Sequence, residues 1–415
     1  MKKRTLLSLL FAVGLSANAQ QLRLDDCISD AKANYPLIRQ KGLAEKSRDY
    51  TVANAGKGWL PTVSVTASAA AMTDIADIPA TAAQLTGDIK NSLYGVTMNV
   101  SQKIYDGGAT SSAKSIAHAE AEADKSQTAV GMYAVRTRVE QIFFGILTID
   151  EQLRQNRLLQ DDISLSRSTV AAMVKGGVAN QTDLDAVDVE TVKTRQRETA
   201  LQQSRKAYVR VLGLFVGKTL PADVTLDMPK TDMPQDHGDV LRPELAAYAA
   251  REQLLDRRRK ALDIRLRPRL DAFALASWHN RMIGMMNTYN LAAGLTLRWN
   301  IGSLYTRQND IRSIQNDRDR IATERQTFLF DNAMERTSAQ GDIEGLEKQI
   351  ALDDTIIALR QNIRRTAERR VRGGTLTVSE MLRDINAVSE ARLQKALHKL
   401  RLTQEICRLR TIEGK

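Results

Sequence analysis

The chain carries the same ordered set of short motifs twice, and this duplication constrains its fold more than any other feature. Gly95-Val-Thr-Met returns 199 residues later as Gly294-Leu-Thr-Leu, and Gly176-Gly177 returns 197 residues later as Gly373-Gly374. A repeated unit of about 200 residues is too long for a solenoid repeat. The sequence therefore predicts two copies of one supersecondary unit that pack against each other.

The N-terminus predicts export. Lys2, Lys3 and Arg4 form a basic segment, an apolar run follows from Leu6 to Leu15, and Ala17-Asn-Ala19 has the small residues of a cleavage site. This apolar run is far shorter than the roughly 20 residues that a transmembrane helix needs. We expect residues 1–19 to be a signal peptide that is removed on export.

Composition excludes several classes of function. The net charge is +11, but Lys and Arg alternate with Asp and Glu along predicted helix faces, so a solvated surface is favoured over a nucleic-acid partner. The four histidines are scattered without ligand spacing, and no nucleophile, phosphate loop or metal cluster is recognisable. We expect neither an enzyme nor a bound cofactor or metal. Whether Cys27 and Cys407 pair is left open by the sequence.

Proline spacing predicts very long helices. Proline is absent between Pro79 and Pro221 and after Pro268, which leaves the chain free of helix breakers over both intervals. Apolar residues recur in steps of three and four over 109–175 and 306–371, a coiled-coil-like period. At about 1.5 Å per residue either helix would be roughly 100 Å long.

Each long helix is expected to end at a Gly-Gly turn and to be followed by a second helix. Glycine suits the left-handed residue that ends such a helix. The predicted organisation is a first repeat over 20–220, a linker over 221–240 and a second repeat over 241–415. Each repeat has a leading helix, two strands and a helical hairpin; the strands are near 61–72, 93–105, 269–280 and 289–301, and the hairpins span about 109–213 and 303–412.

The predicted strands alternate apolar and polar residues, as outer-membrane barrel strands of about ten residues do. Aromatic residues lie at or beside their ends, which is typical of membrane interfaces; they are Trp59, Tyr94, Tyr105, Trp278, Tyr289 and Trp299. An ordinary soluble hairpin with one buried face is the alternative. Four strands cannot close a barrel, and lipid tolerates no open strand edge, so a membrane barrel would require several copies of the chain.

With these motifs the chain resembles the TolC family of outer-membrane efflux proteins over nearly the whole predicted mature length. The resemblance rests on the Trp59-Leu-Pro-Thr entry to the first strand, the Ser101 to Gly108 exit from the second, and the two hairpin tips. It implies a mainly α fold with membrane β structure. It also implies a homotrimer with one twelve-stranded barrel in outer-membrane lipid and a coiled-coil α-helical tunnel across the periplasm.

The resemblance also implies partners and site residues. The tips would dock on a periplasmic adaptor (membrane fusion) protein that connects the tunnel to an inner-membrane exporter of the RND or ABC type. The tip residues are Gly176, Gly177, Val178, Thr182, Asp183, Leu184, Gly373, Gly374, Leu376, Ser379, Glu380 and Leu382. A pore constriction or gate is expected at Asp183, Arg370, Arg372 and Glu380.

The chain departs from the family pattern at this constriction. A second ring carboxylate is replaced by Arg383, and the tyrosine and arginine that close the tip in the best-known member correspond to Val371 and Leu376. Our hypothesis is that Arg370 or Arg372 pairs instead with Asp183 of a neighbouring hairpin.

The function implied is that of a passive exit duct of a tripartite efflux system. Drugs, metal ions or small toxic compounds are the expected cargo, and the sequence does not select among them. The exit duct of a type I protein secretion system is an alternative with the same architecture. A periplasmic coiled-coil structural or adaptor protein without a pore is a further alternative of a different class.

Overall fold

The computed structural model describes residues 21–71, 92–230, 240–280 and 289–415. The predicted signal peptide at 1–19 and residues 231–239 of the predicted linker lie outside these ranges.

The first half of the chain has two short leading helices, two strands and a long helical hairpin. A 3₁₀ turn, Pro36–Ile38, joins the leading helices. In chain order the elements are α1 (Leu24–Asn34), α2 (Arg39–Lys57), β1 (Thr62–Ala71), β2 (Ser92–Tyr105), α3 (Ala109–Lys175) and α4 (Gln181–Val216). Helix α4 extends past the predicted end near residue 213, because the left-handed glycine that ends it is Gly217 (φ 75°) rather than Gly213.

The second half has the same order of strands and hairpin. Its elements are α5 (Pro243–Arg265), β3 (Arg269–His279), β4 (Tyr289–Arg298), α6 (Ser303–Arg372) and α7 (Val378–Glu413). Strand β4 ends at Arg298, before the predicted limit at residue 301, and a turn at Ile301 and Gly302 leads into α6. The long helices α3 and α6 have 67 and 70 residues, as their proline-free sequences predict.

The four strands form one antiparallel sheet in the order β1-β2-β3-β4. The pairing of β2 with β3 joins the two halves of the chain, with Val96 opposite Trp278 and Val100 opposite Ala274. A bulge lies in β2 between Lys103 and Tyr105. The predicted mainly α fold with four strands is confirmed.

The chain divides into two compact units, and each of them takes residues from both halves of the chain. One comprises the chain up to Ile38 together with Gly131–Arg242 and Leu329–Lys415, and the other comprises Arg39–Val130 and Pro243–Phe328. The sheet belongs to the second unit.

The first unit contains the apolar cores of the helical part. Its largest core joins α1, α3, α4 and α7, and Phe143 and Phe144 of α3 lie fully buried within it, with their rings edge to face and 6.3 Å apart. Cys27 and Cys407 are free thiols in the same core. Burial raises the pKa of Cys27 to about 12 and that of Cys407 to about 11. Such thiols are poor nucleophiles, so we assign them a packing role.

Candidate functional site

One face of the sheet is apolar. Residues directly opposite each other in an antiparallel pair lie on the same face, and successive residues alternate between faces. The register therefore forms rows such as Val65, Met98, Ala276 and Leu291 across all four strands. No charged residue of the described strands has a register position on this face. Leu291 is 86% exposed, so a large apolar surface is left uncovered within the protomer.

The opposite face is polar. Thr66, Thr97, Ser277 and Asn290 form one row across the four strands, one residue from the apolar row in each of them. Strand β3, whose alternation is less regular, adds Phe273 and Leu275 to this face. The sheet therefore has one face suited to lipid and one suited to water.

The duplicated glycines Gly95 and Gly294 lie on the polar face, where neighbours approach closely. A Cβ at Gly95 would lie 2.7 Å from the carbonyl oxygen of Trp278, and a Cβ at Gly294 would lie 3.1 Å from the ring of Phe273. Glycine provides room for a backbone in the first copy and for an aromatic ring in the second.

The six aromatic residues singled out from the sequence lie at the two opposite ends of the sheet. Tyr94, Trp278 and Tyr289 are at the end farther from the helices, where the rings of Tyr94 and Trp278 are 6.1 Å apart. Tyr105, Trp59 and Trp299 are at or beside the helical end. The indole nitrogen of Trp299 donates a hydrogen bond to the Leu266 carbonyl over 2.8 Å.

The sheet has two open edges. In the described structure β1 pairs only with β2 and β4 pairs only with β3, so the outer side of each carries unpaired backbone N–H and C=O groups. In lipid each such group needs a partner. The four-stranded sheet is therefore incomplete as a membrane structure.

The hairpin tips have the backbone geometry that their glycines predict. Gly177 and Gly374 have φ values of 71° and 69°, in the left-handed region. At the first tip, the Gly177 N–H donates to the Val174 carbonyl and the Val178 N–H donates to the Met173 carbonyl. Thr375 and Gly374 repeat this pattern. This double hydrogen bond satisfies the last carbonyls of α3 and α6.

The tip carboxylates Asp183 and Glu380 cap the second helix of each hairpin. An Asp183 oxygen accepts a hydrogen bond from the Asn180 backbone N–H over 3.0 Å, and a Glu380 oxygen accepts one from the Thr377 N–H over 3.0 Å. Backbone and side-chain hydrogen bonds from Thr377 lower the pKa of Glu380 below its ordinary value. Thr182 and Ser379 lie in the first turn, after the capping residues.

The apolar residues of the tips differ in how far they are exposed. Val178 is 59% exposed, whereas Leu184 and Leu376 are partly buried against a core shared by α3, α4, α6 and α7. Leu382 is 5% exposed and belongs to that core. Val178 is therefore the apolar side chain of this set that the tip presents most fully to solvent.

The two arginines expected at the gate are exposed near the tip. Arg370 donates to the Thr375 carbonyl of its own turn over 3.4 Å, and Arg372 is the last residue of α6. Both lie outside the tip core. Their pairing with Asp183 of a neighbouring hairpin stays a prediction.

A cluster of charged residues that the sequence did not reveal connects the two hairpins. It lies along the helices, on the side of the tip turns where the helices pack together. Arg364 of α6 donates two hydrogen bonds to Asp162 of α3, over 2.7 and 2.9 Å, and a third to Glu368. The two tips are related by a shift of 197 residues in the sequence, and by the same shift Arg167 of the first repeat is the equivalent of Arg364 in the second. Arg167 bonds to Asp188 within its own hairpin. Equivalent arginines thus have different partners, which the sequence alone did not indicate.

Neither metal binding nor a helical membrane span is seen in the described ranges. They contain no group of three or more His, Cys, Asp or Glu residues that could hold a metal ion. Their helices also include none with the length and apolarity to cross a membrane.

A two-faced sheet with open edges, joined to two very long helical hairpins, defines an outer-membrane channel subunit. The Outer membrane efflux protein family model matches residues 27–217. The match covers most of the first half of the chain, and 94% of the chain has the fold of TolC-type channels, so the predicted recognition and fold are confirmed. No curated protein sequence matches the chain.

Solved structures of outer-membrane proteins share this fold over nearly the whole chain at low identity. The outer membrane protein VceC of Vibrio cholerae is 13% identical, with a TM-score of 0.68 over 94% of this chain and 96% of that one. The outer-membrane channel OprN is 15% identical, with a TM-score of 0.68 over 94% and 89%. The open-state MtrE channel of Neisseria gonorrhoeae is 13% identical, with a TM-score of 0.65 over 94% and 89%.

Family and fold confirm two further predictions. First, the family and the fold are those of channel proteins rather than enzymes. Second, the family and the fold are those of outer-membrane proteins with a large periplasmic helical part, which is the localisation predicted for this chain.

Proposed function

We propose that three copies of this chain form the outer-membrane exit duct of a tripartite efflux system. The duct exports small toxic compounds that an inner-membrane exporter of the RND or ABC type delivers through a periplasmic adaptor. It supplies no energy itself.

The observation that carries this proposal is the open, two-faced sheet. Pairing β4 of one copy with β1 of the next would satisfy both edges, and three copies would bring twelve strands into one closed barrel. The apolar row through Met98 would then face lipid, and the polar row through Thr97 would face a water-filled interior.

The height of the sheet fits a membrane. Strand β3 has 11 residues, which at about 3.3 Å each span roughly 36 Å along the strand. Strands of membrane barrels are tilted by about 35–45°, which reduces this span to roughly 26–30 Å, close to the ~25 Å apolar band of such barrels. We place the two rows of aromatic residues at the two membrane interfaces on this ground.

The tips are suited to docking because their turns are open. A Cβ at Gly177 or Gly374 would meet no atom within 4 Å, so another helical hairpin could approach the backbone there. Val178 would add an apolar contact. We propose that this surface binds the adaptor, and that Asp183 and Glu380 hold the turns in shape by capping.

Deletion of the gene in its native host tests the duct. If the protein is a duct, it should fractionate with the outer membrane and migrate as a trimer that dissociates on heating. The deletion strain should be more sensitive than the parent strain to several toxic compounds. A protein found in the soluble periplasmic fraction would instead support a structural role without a pore. Loss of one secreted protein with unchanged sensitivity would support type I secretion.

Substitution of Val178 tests the tips. We expect Val178→Asp to leave the amount of trimer unchanged and to abolish complementation of the deletion strain, because a charged side chain would disrupt an apolar contact. Val189→Asp is the matched control, since Val189 is 52% exposed on the shaft of α4. Equal complementation by the two variants would contradict docking at Val178.

A further inference from the structure

The charged residues of the sheet are concentrated on one face and at one end. On the polar face Lys103, Arg269 and Arg298 lie near the helical end, with Asp271 as the single carboxylate among the described strand residues. These four charged residues line an open cavity of about 530 Å³ together with Thr62, Asn99, Ser101 and Thr296. The nearby Asp106 also lines it but is 5% exposed and accepts hydrogen bonds from the Gly108 and Thr110 backbones.

The register leaves two of these cations uncompensated. Lys103 lies opposite Asp271, so those two opposite charges share a position in the β2–β3 pair. Arg269 lies opposite Arg298 in the β3–β4 pair. Like charges directly opposite each other destabilise a sheet. Neither arginine has an ion pair with a carboxylate in the part of the chain that the structure describes.

We propose that Arg269, Arg298 and Lys103 form an anion-selecting ring on the inner wall of the barrel, so that the duct favours anionic solutes over cations. This inference rests on the proposed function, because only a closed barrel brings the three copies into a ring. Rings of Arg and Lys select anions in pores, and a low-dielectric wall focuses their field. An anion between Arg269 and Arg298 relieves their repulsion.

The proposal narrows the substrate class. Solutes with carboxylate, sulfonate or phosphate groups would be concentrated at the ring, whereas cationic dyes and metal cations would be depleted there. Guanidinium groups also bind such oxyanions through two parallel hydrogen bonds.

Ion selectivity and anion binding of the purified trimer test the ring. In planar bilayers with a KCl gradient, the reversal potential should show preference for chloride. The Arg269→Gln/Arg298→Gln double variant should lower the chloride-to-potassium permeability ratio several-fold, and Asp271→Asn should raise it. The double variant Arg257→Gln/Arg259→Gln removes the same charge from exposed positions of α5 and should leave the ratio close to that of the wild type.

Binding of a trisulfonated pyrene dye to detergent-solubilised trimer gives a readout that does not depend on an open tip. The affinity of the Arg269→Gln/Arg298→Gln variant for the dye should be several-fold lower than that of the wild type. The α5 control variant should bind the dye with the same affinity as the wild type. The proposed anion-selecting ring would be wrong if the wild type and the two double variants bound the dye equally, or if the wild-type pore preferred cations. Absence of a trimer would instead overturn the proposed function, so the two failures are distinguishable.

Discussion

Placing an arginine at Met98 is expected to prevent assembly of the trimer in the outer membrane. Met98 lies on the apolar face near the middle of β2, where the barrel would meet the centre of the bilayer. An arginine on a lipid-facing strand position at the midplane costs about 2–4 kcal/mol. Three copies would cost roughly 6–12 kcal/mol if their effects add, which is comparable to the whole stability of a typical folded protein.

Asn99→Arg is the matched control for this variant. Asn99 is the next residue in β2 and lies on the opposite, polar face. Its arginine would enter water rather than lipid, so the amount of heat-dissociable trimer in outer-membrane fractions should stay close to that of the wild type. If both arginine variants assembled equally well, or if only Asn99→Arg failed, the assignment of the two faces would be wrong.

Truncation of Phe143 is expected to destabilise the helical part strongly. Phe143 is 0% exposed in the core formed by α1, α3, α4 and α7, with Phe144 against it. Removal of its ring leaves a cavity among four helices whose backbones cannot all close around it. Replacement of buried phenylalanine by alanine costs about 3–5 kcal/mol, so Phe143→Ala should lower the temperature at which the helical circular-dichroism signal is lost.

Phe143→Leu separates loss of volume from loss of the aromatic ring. A leucine keeps most of the apolar volume, so the cavity that it leaves is smaller and its cost should lie below the about 3–5 kcal/mol of truncation to alanine. We expect its melting temperature to lie close to that of the wild type. Equal and small shifts for both variants would show that this core contributes less stability than its burial indicates.

Much of the fold follows from local sequence patterns. The absence of proline and the steps of three and four predict α3 and α6, since helix periodicity and helix breaking depend on near neighbours. Alternation of polar and apolar residues predicts the four strands in the same way. Strand ends are less well predicted: β4 ends at Arg298, and the side chain of the next residue, Trp299, bonds to the distant Leu266 carbonyl.

The candidate site is predictable in part. The tip glycines were found because their duplication and their left-handed role are visible in the sequence. The capping roles of Asp183 and Glu380 were missed, although Asn180-x-x-Asp183 and Thr377-x-x-Glu380 carry the capping-box spacing. No comparable pattern marks Asp162 and Arg364, which are 202 residues apart in the chain.

By itself the sequence determined the duplication, the lengths of the helices, the turns between them and the two-faced character of each strand. Only the tertiary structure decided which residues meet across these elements. It placed Arg269 opposite Arg298, put Phe273 against Gly294, and directed Arg364 across to Asp162 of the other hairpin as well as to Glu368 of its own helix. The physical reason is range: periodicity and turn preferences act between near neighbours, whereas register and cross-hairpin pairing depend on how distant segments pack together.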